Sequence, residues 1–189
     1  MSSAAPFRGW WIVGVGFATQ AISMGFSIMT FPLFVPLLVS EFAASRGSIL
    51  LGQSMLLAVM TGVGSLLGRV LDRRSIRGVM SLGALGNAGC LFAMSFATSL
   101  WQLALLFGVC LAVGTAMMGP LASSTVVAKW FRRKLGRAQG LVNMGGPAGG
   151  LLFAPIAGVL LASAGWRGTL RCFAAITLCA IPEIGRAHV

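Results

Sequence analysis

Apolar residues fill long uninterrupted stretches of this chain. Five stretches, 10–38, 49–67, 79–97, 101–127 and 141–164, reach the roughly 20 residues that a helix needs to cross a hydrocarbon core. A sixth, 169–181, has 13 residues, which is about 20 Å at the helical rise and short of the ~30 Å core. The pattern predicts an all-α membrane protein in which the sixth span is cut short.

Composition excludes a soluble domain. Hydrophobic residues make up 57% of the chain and charged residues 9%, where an ordinary globular domain carries about 25% charged residues. The first stretch lacks the basic leader and small-residue cleavage site of a secretory signal, so we interpret it as a retained span. The cysteines lie within predicted spans without metal-ligand spacing and are interpreted as small packing residues: Cys90, Cys110, Cys172 and Cys179.

Charge sets the predicted orientation. The net charge of +11 and the cluster KWFRRKLGR at 129–137 would suit a phosphate-binding surface in a soluble protein. Sorted between alternate loops, ten basic residues fall on the side of the N-terminus and three, Arg46, Arg167 and Arg171, on the other. This bias predicts a cytoplasmic N-terminus at 1–9 and a cytoplasmic loop at 129–137. The cluster is therefore expected to face anionic lipid headgroups, and no nucleic-acid partner is expected.

The last seven residues, EIGRAHV at 183–189, resemble the translation of a sequencing adapter that follows an unfinished helix. We expect this segment to be foreign to the natural protein and 10–182 to form the membrane region. His188, the single histidine, is set aside with it.

Small, cyclic and aromatic residues mark the spans. Glycine pairs at spacing four, 64 and 68, 145 and 149, and 146 and 150, predict close helix packing. Prolines at 32, 36, 120, 147 and 155 remove backbone donors and favour bends. The five tryptophans fall at span ends, where an amphipathic ring prefers the headgroup layer.

Polar side chains inside the spans are the candidate substrate-binding residues. Gln20, Ser23, Ser27 and Thr30 recur at helical spacing along the first span. Such a stripe faces either other helices, as interhelical hydrogen bonds, or a water-filled cavity. Weaker candidates are Thr115 and Met118 in the fourth span and Asn143 in the fifth. No spaced set of His, Asp or Glu could serve as a base or metal ligand, so no catalytic residue, metal or cofactor is expected.

The loop GRVLDRRSIR at 68–77 resembles the signature of the major facilitator superfamily. Gly68, Asp72, Arg73 and Arg77 match it, whereas Arg74 and Ser75 depart from it. The resemblance implies a twelve-helix transporter of two six-helix halves that works by alternating access, of which this chain would be the N-terminal half. It also implies a cytoplasmic latch, in which Asp72 caps a helix end of the other half and pairs with Arg73 or Arg77. The alternative for Asp72 is a solvated loop carboxylate.

Three further segments are similar to the monocarboxylate-transporter-like branch: WFRRKLGRAQGLVNMGGPAGG at 130–150, RGWW at 8–11 and GWRG at 165–168. The resemblance implies a plasma-membrane transporter of small organic anions, with a symported proton as the coupling partner. Members that carry carboxylates usually have a basic residue midway along the first helix, where this chain has Ser27 and Ile28. A neutral metabolite or drug is therefore the alternative substrate. A drug and proton antiporter is disfavoured by Cys110, which stands where those proteins tend to have an arginine.

No acidic residue lies within any predicted span, so a coupling proton would have to be carried outside this segment. A membrane enzyme or a passive helix bundle is the third hypothesis. It is the weakest of the three, because no catalytic set is present.

Overall fold

A computed structural model describes residues 9–73, 75–131 and 134–186, without the side chains of Asp72, Arg73, Arg77 and residues 183–186. The described backbone is helical and contains no strand, as the apolar pattern predicts. Helices are expected because only a helix satisfies all its own backbone hydrogen bonds in lipid.

The helices follow one another with short connections. The first stretch contains α1 (Gly9–Met24), a π-helical segment (Gly25–Met29) and α2 (Phe31–Phe42). Two long helices follow, α3 (Arg46–Arg73) and α4 (Ile76–Met94). The next stretch contains α5 (Leu100–Leu105), a second π-helical segment (Leu106–Leu111), α6 (Ala112–Met118) and α7 (Pro120–Trp130). The chain continues through α8 (Leu135–Asn143) and α9 (Gly145–Arg186).

Proline and glycine interrupt these stretches at defined points. Helix α2 begins just before Pro32 and α7 begins at Pro120, where the missing proline N–H is one that a first helical turn leaves unpaired in any case. Pro36 and Pro155 instead lie inside α2 and α9. Within α9, Gly165 adopts φ 67° and ψ 179°, a conformation open mainly to glycine. Two helical arms of α9 therefore meet at Gly165.

Among the described residues, four stretches are long and apolar enough to cross a membrane: Gly9–Phe42, Arg46–Leu71, Leu100–Trp130 and Leu135–Pro182. Gly78–Met94 is a shorter apolar helix. The turn at Gly165 divides the last of the four stretches. The prediction of an all-α, multi-pass membrane protein is confirmed, whereas the count of six spans stays a prediction.

The first and third of these four stretches form the centre of the bundle. About half of the most apolar part of Gly9–Phe42 and Leu100–Trp130 is buried, 50% and 56%, against 17% for each of the other two. The chain reverses near Glu41, Ala97 and Gly165 at one end, the Glu41 end. It reverses near Ser75 and Phe131 at the other, the Lys129 end, where α1 also begins.

Aromatic packing fills the bundle toward the Glu41 end. Phe26 stacks on Phe173 with ring centroids 4.1 Å apart, and Phe31 stacks on Phe107 at 4.2 Å. Phe153 meets Phe26 edge-on at 4.4 Å. Helices in lipid gain little from the hydrophobic effect, so interlocking contacts of this kind hold them together.

Glycine allows the closest helix approach, between α1 and α9. A Cβ on Gly145 would overlap the carbonyl oxygen of Phe17, and one on Gly149 would overlap that of Ala21. The packing prediction is confirmed for these residues. It is wrong for Gly64 and Gly68 within the described chain, because a Cβ at either would have no atom within 4 Å.

Tryptophan exposure follows the predicted boundaries at four positions. Trp10, Trp11, Trp101 and Trp130 are exposed. Trp166 differs, since its ring is 5% exposed and its indole N–H donates to a carboxylate oxygen of Glu41. Contacts within the helix bundle therefore fix Trp166, in addition to the preference of an indole ring for the membrane–water interface.

Candidate functional site

Buried polar side chains converge on the first stretch from neighbouring helices. Its own members are at most 1% exposed: Thr19, Gln20, Ser23, Ser27 and Thr30. Facing them are Asn87 from α4, Thr115 from α6 and Ser123 from α7, which are buried to the same degree. A polar group in this environment needs a partner, because the bilayer core supplies no water.

One hydroxyl connects three helical stretches. The Thr115 hydroxyl lies 3.0 Å from that of Ser27, and it accepts a hydrogen bond of 3.1 Å from the Asn87 amide nitrogen. Gly114 permits this contact, since a Cβ there would lie 2.9 Å from the backbone nitrogen of Asn87. The Asn87 amide oxygen is buried and has no hydrogen-bond partner among the described residues.

A second polar contact reaches from α1 to the end of α8. The Gln20 side-chain nitrogen donates to the side-chain oxygen of Asn143 over 3.1 Å. Nearby, the Thr19 and Ser123 hydroxyls lie 3.5 Å apart. The remaining members of the stripe bond within their own helix, Ser23 to the Gln20 carbonyl at 3.4 Å and Thr30 to the Phe26 carbonyl at 2.8 Å.

The predicted substrate residues therefore occupy two environments. Gln20, Ser23, Ser27, Thr30 and Thr115 are inside the bundle, in the interhelical or intrahelical hydrogen bonds described above. Met118 is buried in an apolar cluster with Leu67 and Met80. Asn143 is exposed. Substrate contact at these seven residues stays a prediction.

Asn143 lines an open groove of about 320 Å³ between α3, the α6–α7 junction and α8. Its lining is formed by Met60, Gly64, Ala116, Pro120, Leu121, Ser124, Gln139 and Asn143. Asn143 stands eight residues beyond the start of α8, about 12 Å along the helix axis. The groove therefore lies between the middle of the bundle and the Lys129 end.

Two other cavities offer fewer polar groups. One of about 400 Å³ lies between α1 and Ala180; its polar lining is the indole of Trp11 and the hydroxyl of Thr19, which donates to the Gly16 carbonyl. The other, among the aromatic residues, holds about 20 Å³, room for little more than one water. The described residues contain no group of three His, Cys, Asp or Glu that could hold a metal ion. The 320 Å³ groove is the candidate site.

Sequence reasoning missed several residues here. Asn87 lies inside the predicted span 79–97, and an amide at that depth is costly unless paired, so its residue type was an available signal. Gln139 and Ser124 line the groove but carried no distinguishing pattern, because Gln139 falls between two predicted spans and Ser124 is a small residue near the end of the span 101–127.

Glu41 was also missed. Its carboxylate accepts from the Trp166 indole and lies 2.5 Å from the Arg167 guanidinium. Arg167 also donates to the Ala97 carbonyl at 3.2 Å and lies 4.4 Å above the Trp166 ring. These contacts join α2, the segment after α4 and the second arm of α9 at the Glu41 end.

The predicted latch is described only in part. The backbone of Asp72 and Arg73 forms the end of α3, and Arg77 lies in the first turn of α4. Their side chains lie outside the described residues. Gly68 is described and leaves open space on its face of α3. The latch stays a prediction.

Comparison with known proteins identifies the family. Residues 16–185 match the model of the Major Facilitator Superfamily. The chain is 33% identical to monocarboxylate transporter 11 of Mus musculus, over 90% of this chain and 38% of that protein. It is 31% identical to monocarboxylate transporter 1 of Homo sapiens, over 87% of this chain and 33% of that protein. An MFS-type transporter 1 of Ophiocordyceps sp. (strain BCC 1869) is 29% identical over 78% of this chain and 33% of its own length.

The chain thus spans about a third of the length of these relatives. The relatives are named as transporters, and the family match agrees with a helical, multi-pass membrane protein. The recognition made from the sequence motifs is confirmed, and the chain belongs to the Major Facilitator Superfamily.

Proposed function

We propose that this chain is part of a secondary active transporter that moves small organic anions of the monocarboxylate type by alternating access. The observation that carries the proposal is the groove at Asn143 and Gln139, which offers amide donors on an apolar wall. Few, well-placed polar groups on an apolar wall are typical of small-molecule sites. The relatives named as monocarboxylate transporters suggest the substrate class.

A neutral metabolite or drug is the second candidate. It is favoured by the groove lining, which contains no charged side chain, and by Ser27 and Ile28 in the middle of the first stretch. If the substrate is an anion, its charge needs a basic group outside this segment, and a coupled proton needs an acid there. Proton symport is proposed together with the first candidate, the organic anion.

Uptake by the protein expressed from the natural gene separates the two candidates. We expect vesicles that contain it to accumulate labelled lactate or pyruvate, faster at lower external pH if a proton is carried with the anion. Accumulation of uncharged analogues such as lactamide, with no uptake of carboxylates, would assign the second candidate instead. Vesicles without the protein are the control.

We propose a plasma-membrane location with the N-terminus and the Lys129 end in the cytoplasm. The support is the ten-to-three distribution of basic residues, since cytoplasmic loops carry the excess of Lys and Arg. In intact cells, a membrane-impermeant maleimide is expected to label Thr98→Cys and not Leu135→Cys. Both side chains are exposed, and the unsubstituted protein corrects for native thiols. Strong external labelling at residue 135 would reverse the topology.

We also propose that Asp72 is a latch residue. Its backbone lies in the last turn of α3, where the dipole of its own helix disfavours an anion by about 0.3–1 kcal/mol. A carboxylate at such a position is better explained by a partner elsewhere, such as the N-terminus of a helix in the other half.

Asp72→Asn is expected to lower transport several-fold, while the amount of protein in the membrane is unchanged or slightly raised. The latch contact is lost, which biases the two-state equilibrium by about tenfold per 1.4 kcal/mol, but the repulsion within α3 is relieved. Uptake normalised to protein amount measures the effect, with Asp72→Glu as the charge-retaining control. Normal uptake by Asp72→Asn would leave Asp72 as a solvated carboxylate.

A further inference from the structure

The groove at Asn143 adjoins a buried residue of α1, Gln20, which donates a hydrogen bond to the Asn143 side chain. We propose that Gln20 is a positioning residue, which holds the Asn143 side chain so that its amide hydrogens face the groove and bind the carboxylate of a small organic acid. This inference rests on the proposed function, because it names the substrate group that the same groove would bind.

The hydrogen bond between Gln20 and Asn143 has a defined donor and acceptor. Gln20 is 1% exposed and donates from its side-chain nitrogen to the side-chain oxygen of Asn143 over 3.1 Å. A carboxamide is planar, and its oxygen and nitrogen lie on opposite sides of the Cγ atom. With the oxygen turned toward α1, the Asn143 nitrogen is directed away from the bundle interior. It has no other hydrogen-bond partner among the described residues.

Gln20 can reach Asn143 because the chain approaches α1 closely at Gly145. Gly145 follows Asn143 by two residues, and a Cβ there would lie 3.0 Å from the Cβ of Gln20 and overlap the Phe17 carbonyl oxygen. The absence of a side chain at residue 145 lets α1 and the start of α9 touch. This contact fixes the height of Gln20 against the end of α8.

The polar side chains of the groove, Ser124, Gln139 and Asn143, differ in the hydrogen-bonding groups that they leave available. The Ser124 hydroxyl donates to the Leu121 carbonyl at 3.0 Å, so its hydrogen is used within α7. The Gln139 amide, one turn before Asn143, has no hydrogen-bond partner among the described residues. The Asn143 oxygen is engaged by Gln20, which leaves its N–H donors for the groove, and the unpartnered Gln139 carboxamide can turn its own N–H donors to the same ligand. These groups suit a ligand that brings acceptors. A carboxylate brings two oxygens with only acceptor character.

The test is lactate uptake by liposomes that contain the full protein from the natural gene. Asn143→Asp replaces the donor by an acceptor and is expected to raise the KM for lactate by about tenfold or more, because its carboxylate offers no hydrogen to the ligand and repels the carboxylate of the ligand. Gln20→Leu frees the Asn143 amide to rotate and should give a smaller rise.

The split between KM and maximal rate separates positioning from a structural role. We expect Gln20→Leu to keep the wild-type maximal rate per folded transporter, whereas a residue needed only for folding would reduce the amount of active protein at unchanged KM. Ser163→Ala is the control, because that hydroxyl is exposed and donates only within its own helix, to the Val159 and Leu160 carbonyls.

Two different failures are distinguishable. If the wild-type protein takes up lactate and both Asn143→Asp and Gln20→Leu keep its KM, the positioning role is overturned and the proposed function stands. If the wild-type protein takes up no lactate, pyruvate or acetate, the proposed function fails and the inferred carboxylate ligand fails with it.

Discussion

Replacing Gly149 by valine is expected to lower the melting temperature of the protein strongly and to reduce the yield of monodisperse protein in detergent. A side chain at residue 149 would overlap the carbonyl oxygen and the Cα atom of Ala21. The obstacle is backbone, which cannot rotate away, so α1 and α9 would have to separate. Overpacking of a close-packed core typically costs about 1–3 kcal/mol. Because a whole helix must move here, we expect a free-energy cost above the lower end of that range.

Gly158→Val is the matched control for this prediction. Gly158 lies on the same helix, and a Cβ there would have no atom within 4 Å. Both variants exchange glycine for the same β-branched residue in α9, so the intrinsic change in helix propensity is similar. The difference in melting temperature then reports the contact with α1. Equal melting temperatures for the two variants would show that the α1–α9 approach is looser than described.

Thr115→Val is expected to destabilise the protein by about 1–3 kcal/mol, the cost of leaving a buried polar group unsatisfied. Valine has the shape of threonine but cannot accept from the Asn87 amide nitrogen or pair with Ser27. Since the Asn87 oxygen already lacks a partner among the described residues, the whole amide would be unpaired in the bundle. Chemical or thermal unfolding in detergent measures the loss.

Thr125→Val is the control, because the Thr125 hydroxyl donates only to the Leu121 carbonyl of its own helix, at 2.7 Å. Adding Asn87→Leu to Thr115→Val should recover part of the lost stability, because the double variant buries no unpaired amide. If Thr115→Val were as stable as Thr125→Val, the hydroxyl would not connect the three stretches energetically.

Residue types within the spans had different predictive value. A glycine at spacing four has the same local appearance in α3 and in α9, yet Gly145 and Gly149 meet the α1 backbone while Gly64 and Gly68 face open space. Spacing identifies a smooth helix face but not the surface that covers it. Proline was informative at Pro32 and Pro120, which lie in the first turn of a helix, but not at Pro36 and Pro155, which lie inside α2 and α9 without ending either helix.

The candidate site shows the same division. The helical spacing of Gln20, Ser23, Ser27 and Thr30 predicts a polar stripe, and the stripe is present. Spacing could not decide between its two interpretations, since a stripe buried against helices and a stripe facing a cavity have the same period. Asn143 and Gln139 line a groove because residues of α3 and α7 lie beside α8, and the period of a single helix does not contain this relation.

The sequence by itself determined the all-α membrane class and the family, because these depend on local hydropathy and on contiguous motifs such as GRVLDRRSIR. Tertiary structure alone decided which polar groups meet: Thr115 with Asn87, Gln20 with Asn143, and Glu41 with Trp166 and Arg167. These partners are between 28 and 126 residues apart in the chain. Hydropathy places a helix in the bilayer without fixing its rotation or its neighbours, and both are set by side-chain packing between helices.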